Sequence, residues 1–171
     1  IRRRGHEVQN QPGHGGIDTP TDKWQKIIGV NLMSEIFAAK YAIPHMLEQG
    51  SGYLLNVASA AGLLVIFDTV SYTVTKHASI GFTEWLAATY IDQGIGVSVL
   101  CPAAVKTPIL AGKEDTPEGR DAITAEELAD VVITGLAEEH FMISTHPWVL
   151  EKWAVKARDY DEYIAAMRAG R

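Results

Sequence analysis

One short stretch of this chain, YLLNVAS at residues 53–59, is almost continuously apolar and ends in a hydroxyl. A strand that is covered on both faces of a parallel sheet has this composition, whereas a strand with one solvated face alternates. A second run of the same kind extends from Ile95 to Cys101 and is followed by Pro102. Residues 141–144 form a third candidate strand. These runs predict a parallel sheet of three strands.

Helical patterns lie between the predicted strands, and this alternation is typical of an α/β fold. Apolar residues at helical spacing predict a helix over residues 20–48, which we expect Thr19 to cap. Pro20 suits its first turn, and Pro44 is expected to disrupt its last turns. The sequence therefore places one long helix directly before the first strand.

Three further helices are predicted after the first strand. One covers residues 71–93, with Gly94 directly after its end. The capping box TAEE at residues 124–127 starts another, and Pro147 starts the last.

Two segments lack such patterns. Residues 1–18 contain several Gly, Pro and Arg and few apolar residues, so we expect an irregular segment followed by a folded unit over 19–171. Residues 111–122 are rich in Gly, Pro and charge and lie close between ordered blocks. They predict a mobile loop over a site rather than a domain linker.

Composition limits the classes of partner. The net charge of -6 and the pI of about 5.5 argue against nucleic acid and anionic membranes as partners. The longest apolar stretch is shorter than a membrane span and no signal peptide is visible, so we expect a cytoplasmic protein. The single cysteine, Cys101, indicates no internal disulfide, and the six histidines show no metal-ligand spacing, so no metal site is expected.

Two positions could carry chemistry. Tyr72 and Lys76 lie one turn apart on the predicted helix, and a neighbouring cation favours the phenolate that an acid/base tyrosine needs. A core tyrosine beside a solvated lysine would give the same spacing. Ser59 lies at the carboxyl end of the first strand, where open α/β sheets bind ligands, although a turn or capping serine is equally consistent there.

Four motifs together resemble the short-chain dehydrogenase/reductase family. They are Val30-Asn31-Leu32, Asn56-Val57-Ala58-Ser59, Tyr72-x-x-x-Lys76 and Cys101-Pro102-x-x-Val105-x-Thr107, in the family's order and spacing. The resemblance implies the C-terminal half of a Rossmann-like, doubly wound parallel sheet with flanking helices. It also implies an oxidoreductase that transfers a hydride between NAD or NADP and a secondary alcohol or ketone.

The resemblance assigns a role to each catalytic candidate. Tyr72 would be the general acid in reduction or the base in oxidation, and Ser59 would bind the substrate oxygen. Lys76 would favour the phenolate form of Tyr72 and bind the ribose hydroxyls of the cofactor. Asn31 would interrupt its helix and hold a water that relays protons to Lys76, although a packing role for this polar residue remains open.

Further cofactor contacts follow from the loop after the second strand. Pro102, Val105 and Thr107 would contact the nicotinamide, together with Tyr72 and Lys76, and residues 111–122 would form a substrate lid. Ala103 stands where the family usually has glycine, which could restrict the loop.

The resemblance fails at the beginning of the chain. Family members begin with a strand, a Gly-rich turn and a helix that bind the pyrophosphate, and this segment is not found here. A truncated chain with an exposed sheet edge is therefore expected. The alternative to an enzyme is an inactive fragment or pseudoenzyme that serves as an interaction module. A homodimer or homotetramer through helices 20–48 and 71–93 fits the family.

Overall fold

The computed structural model describes residues 15–112 and 114–170. Within these ranges, a parallel sheet has the order β1 (Gly52–Val57), β2 (Ile95–Cys101), β3 (Met142–Ser144). β1 is in register with β2 from the pair Gly52–Ile95 to the pair Val57–Leu100. The predicted three-stranded α/β fold is confirmed.

Helices flank this sheet. In the described part of the chain they are α1 (Thr21–Ile28), α2 (Ser34–Gln49), α3 (Val70–Tyr90), α4 (Pro117–Asp121), α5 (Ala125–Ala137), α6 (Pro147–Arg158) and α7 (Tyr160–Ala169). A π-helical turn, Gly29–Met33, joins α1 to α2, and short 3-10 turns cover Ala60–Gly62, Ile91–Gln93 and Pro108–Leu110. No helix described here is both long and apolar enough to span a bilayer.

The first predicted helix differs from the sequence-based expectation in two ways. Thr19 does not cap it, because its hydroxyl donates to the carbonyl of Gly16 at 2.7 Å and Pro20 occupies the N-cap position. Pro44 does not interrupt α2, which continues to Gln49. Packing of α2 on the sheet outweighs the cost of the missing amide, since most helical stability in proteins comes from tertiary contacts.

The other helix predictions are confirmed, with one correction. α3 and the following 3-10 turn end at Gly94, which is left-handed at φ 79°, and the capping box at Thr124 is formed. The single helix predicted after Pro147 is two helices. Asp159 separates them, because its carboxylate accepts the amide of Glu162 and caps α7.

The core has two parts, divided along β2. The amino-terminal half of β2 packs with α2 and α3 through Ala39, Ile43, Leu86, Ile95 and Val97. The carboxyl-terminal half packs with the segment after β1 and with α3, α6 and α7. The second cluster therefore surrounds the carboxyl ends of the strands, where Ser59 lies.

Candidate active site

Ser59 lies two residues beyond the end of β1, where the chain enters the 3-10 turn Ala60–Gly62. It caps this turn, because its Oγ accepts the amide of Ala61 at 3.1 Å. The same hydroxyl donates to the carbonyl of Pro102 at 3.4 Å, and its residue is 8% exposed. The hydroxyl is thus held between the end of β1 and the loop after β2, by one firm and one long hydrogen bond.

The turn that carries Ser59 packs directly against α3 at Gly62. A Cβ at Gly62 would lie 2.6 Å from the carbonyl oxygen of Lys76 and 2.6 Å from Cδ1 of Ile80. Only glycine permits this approach of the two backbones. Gly62 therefore fixes how close Ser59 comes to the helix of Lys76, a role that the sequence analysis missed although Gly62 follows a strand-end serine by three residues.

Tyr72 and Lys76 occupy the first two turns of α3. Nζ of Lys76 donates to the carbonyl of Val57 at 2.7 Å and lies 5.8 Å from the centre of the Tyr72 ring. Tyr72 is half-buried. Lys76 thus connects the last residue of β1 with the phenol that the sequence analysis singled out.

Burial governs the electrostatics around Lys76. Desolvation lowers the pKa of its ammonium, while the nearby Glu35 opposes that shift. Desolvation likewise raises the pKa of Glu35, against the hydroxyl of Ser79, which donates to its carboxylate at 2.6 Å, and against Lys76. Glu35 is not among the residues predicted from the sequence, although a carboxylate four residues after Asn31 in an apolar helix is a usable signal.

Cys101 is fully buried at the end of β2. Desolvation raises the pKa of its thiol to about 12, despite a hydrogen bond from the backbone of Ser59 and the nearby charge of Lys76. The thiol therefore stays protonated at neutral pH and is no nucleophile.

Asn31 occupies the centre of the π-helical turn Gly29–Met33, so the interruption expected at this residue is present. Its Nδ2 donates to Oγ1 of Thr75 at 3.2 Å, and that hydroxyl donates to the carbonyls of Ser71 and Tyr72. These hydrogen bonds connect Asn31 to the first turn of α3, which carries Tyr72.

The loop after β2 contacts the Ser59 segment directly. The amide of Ala60 donates to the carbonyl of Pro102 at 2.8 Å. Ala103 does not have a positive φ, so a methyl group there causes no backbone strain. Val105 forms a parallel bridge with Ile123.

Residues in the range 106–122, here called the segment over the cleft, line an open cleft of about 690 Å³. Thr107 lines it, together with Lys106, Leu110 and Arg120. Residues 111–122, which were expected to form a mobile loop over a site, contain the short helix α4. In the described ranges, no group of three or more His, Cys, Asp or Glu could hold a metal ion.

Comparison with known proteins identifies the family. The family model for short chain dehydrogenases matches residues 12–118. The 2-(R)-hydroxypropyl-CoM dehydrogenase of Xanthobacter autotrophicus is 32% identical over 125 residues, covering 67% of this chain and 50% of that protein. The D-beta-hydroxybutyrate dehydrogenase of Rhizobium meliloti is 32% identical over 126 residues, covering 73% of this chain and 49% of that protein.

A solved structure agrees with both. A short-chain dehydrogenase/reductase from Burkholderia phymatum, in complex with NAD, superposes with a TM-score of 0.75 at 26% identity, covering 88% of this chain and 63% of that one. The chain spans about half the length of the curated relatives it matches. The motif order, the strand-end geometry and these matches together show that the chain belongs to the short-chain dehydrogenase/reductase family.

Proposed function

We propose that the protein is an oxidoreductase that transfers a hydride between NAD or NADP and a secondary alcohol or ketone, with Tyr72 as acid and base. The observation that carries this proposal is the position of Lys76, whose Nζ is 2.7 Å from the Val57 carbonyl and 5.8 Å from the Tyr72 ring. This geometry holds a cation at the end of β1, beside the half-buried phenol that would transfer the proton.

The residues around Lys76 fit a nicotinamide cofactor. The ammonium has three hydrogens, and the Val57 carbonyl takes one of them, so two remain for the hydroxyls of a ribose. When bound, the nicotinamide would supply or accept the hydride. Pro102, Val105 and Thr107 belong to the loop that would contact it, and the cleft lined by Thr107 lies on that loop.

The proton is assigned to Tyr72. In the direction of reduction its hydroxyl donates a proton to the substrate oxygen, and in oxidation its phenolate accepts one. Ser59 exchanges its long bond to the Pro102 carbonyl for one to the substrate oxygen and stabilises the developing charge. Asn31 holds the first turn of α3 through Thr75 and so orients Tyr72.

The experiment uses the complete protein with NAD or NADP and D-beta-hydroxybutyrate or cyclohexanol as probes, which the names of two relatives suggest. The absorbance of the reduced cofactor reports turnover. Tyr72→Phe should lower kcat by about 10²–10⁴-fold with an unchanged unfolding midpoint, because it removes the transferable proton alone. Tyr160→Phe, at a residue that is 60% exposed, is the matched control and should retain full activity.

A second candidate function is an inactive interaction module. It is favoured by the exposed apolar side chains on the helices that the family uses for self-association, such as Phe37 at 50% and Trp85 at 57%. We propose a homodimer through these helices in either case. Self-association without any binding of NAD or NADP by the complete protein would favour the module, and full activity of Tyr72→Phe would refute the assigned acid.

A further inference from the structure

His146 lies between two parts of the proposed site that are distant in sequence. It directly precedes α6, and its residue is only 4% exposed. Both ring nitrogens have hydrogen-bond partners, one toward the loop after β2 and one toward the segment over the cleft. No role in the proposed reaction accounts for this histidine.

The first partner leads to the loop after β2. Nδ1 of His146 is 2.7 Å from Oγ1 of Thr145, and that oxygen also accepts the amide of Ala103 at 3.1 Å. Ala103 follows Pro102, whose carbonyl holds the hydroxyl of Ser59. The imidazole is therefore separated by one hydroxyl from the backbone of the proposed nicotinamide-contact loop.

The second partner leads to the segment over the cleft. Nε2 of His146 is 2.9 Å from the carbonyl oxygen of Asp121, the last residue of α4. A carbonyl can only accept, so Nε2 carries a hydrogen and donates it. The Asp121 carboxylate accepts a further bond from Nε1 of Trp148 at 2.8 Å. The end of α4 is thus fastened to the start of α6.

The two ends of this segment lie side by side. The amide of Lys106 donates to the carbonyl of Ile123 at 2.8 Å, and the amide of Ile123 donates to the carbonyl of Ala104 at 3.2 Å. Residues 106–121 therefore form a loop whose two ends are adjacent, as in compact surface loops. The hydrogen bond at Asp121 attaches this loop to the start of α6 as well.

We propose that His146 is a positioning residue that couples the segment over the cleft to the nicotinamide-contact loop. By bridging Asp121 and Thr145, it sets the spacing between the residues that would cover the substrate and those that would hold the cofactor. The catalytic meaning of this coupling rests on the proposed function, whereas the bridge itself does not.

Amide hydrogen exchange, followed by mass spectrometry, tests the bridge without any substrate. In the present chain, His146→Phe should speed exchange over residues 103–123 by about fivefold, the factor that one hydrogen bond of ordinary strength gives. Exchange in residues 80–90 of α3 should not change. His146→Gln keeps an N–H donor, so its exchange over residues 103–123 should speed up less. Trp148→Phe should speed exchange only in residues 117–123.

Two results would overturn the bridge. One is that His146→Phe exchanges at the wild-type rate over residues 103–123, and the other is that its exchange rate rises uniformly along the whole chain. If His146→Phe does not fold, Thr145→Val removes the bridge from its other end. It should speed exchange on both sides, at Ala103 and over residues 106–123, and an increase at Ala103 alone would contradict the coupling.

Steady-state kinetics of the complete protein test its consequence. His146→Phe should raise the substrate KM several-fold while kcat stays within about threefold, and His146→Gln should restore most of the loss. An unchanged KM would overturn the coupling. A wild-type protein without turnover would refute the proposed function instead, and hydrogen exchange would then decide the bridge alone.

Discussion

Replacing Gly62 by alanine tests the contact that brings the Ser59 turn against α3. The new Cβ would lie 2.6 Å from the carbonyl oxygen of Lys76, which is helix backbone and cannot rotate away. The turn must therefore retreat by about 0.8 Å to reach ordinary contact. Overpacking of this kind costs about 1–3 kcal/mol. For a chain of this size, we expect the unfolding midpoint to fall by roughly 2–10 °C.

Gly81→Ala, in the helix against which the Ser59 turn packs, provides the matched control. A Cβ at Gly81 meets nothing within 4 Å, and Gly81 lies inside α3. Alanine is favoured over glycine in a helix by about 0.5–1 kcal/mol, so this variant should gain roughly 1–4 °C. The same substitution thus has opposite signs at two glycines only nineteen positions apart in the sequence.

Calorimetry of the wild type, Gly62→Ala and Gly81→Ala measures their unfolding midpoints. All three are compared at one low protein concentration, since dilution limits any effect of self-association. A Gly62→Ala protein as stable as the wild type would refute the close contact between the turn and α3. In the complete protein the same variant should also lose about 10²-fold in turnover, because displacements near 1 Å have that effect on catalysis. Normal turnover with lowered stability would show that Ser59 keeps its place although the turn moves.

Two buried titratable groups, Cys101 and Lys156, should change the stability of the fold in opposite directions as the pH rises. Burial holds the pKa of Cys101 at about 12 against 9.0 in the unfolded chain, so the folded state retains its proton and stability falls as pH rises above 9. Urea unfolding should show the wild type losing about 1 kcal/mol between pH 7 and pH 10 relative to Cys101→Ala, and parallel curves would refute the shift. Burial lowers the pKa of Lys156, whose Nζ donates to the Leu63 carbonyl at 2.7 Å, so its contribution to stability rises with pH through that lowered pKa. Lys156→Met should therefore lack an alkaline gain that the wild type shows, and an equal gain in both would contradict the prediction.

β2 and the long helix α3 could be predicted because their signals depend on burial, whereas β1 was predicted from its apolar residues although Tyr53 and Val57 are 38% and 48% exposed. β2 is buried along nearly its whole length, and its apolar run at residues 95–101 has the bounds of the observed strand. Capping at Thr124 was also readable, since both partners of a capping box lie within four residues. The cap predicted at Thr19 was wrong because a competing partner was near. The hydroxyl of Thr19 donates to the carbonyl of Gly16 and does not cap the helix.

Several parts of the site depend on contacts between residues that are far apart in sequence. The π-helical turn at Asn31 was expected only from the family resemblance, because no composition or spacing distinguishes it from an α-helix. The approach of Gly62 to Lys76 and the bond between Glu35 and Ser79 arise when α2, α3 and the turn pack together. Single-sequence patterns carry no information on such distances.

The arrangement of these contacts divides the site into a rigid and an adaptable half. The segment after β1 is fixed at successive points: Ser59 to the Pro102 carbonyl, Gly62 against α3, and Leu63 to the buried Lys156. A segment held at so many points in the core has little freedom, which suits groups proposed to take part in proton transfer. Residues 106–121 are instead held at their ends, and many of their side chains are exposed. Differences in substrate within the family should therefore reside in that loop, while the Ser59 and Lys76 geometry stays the same.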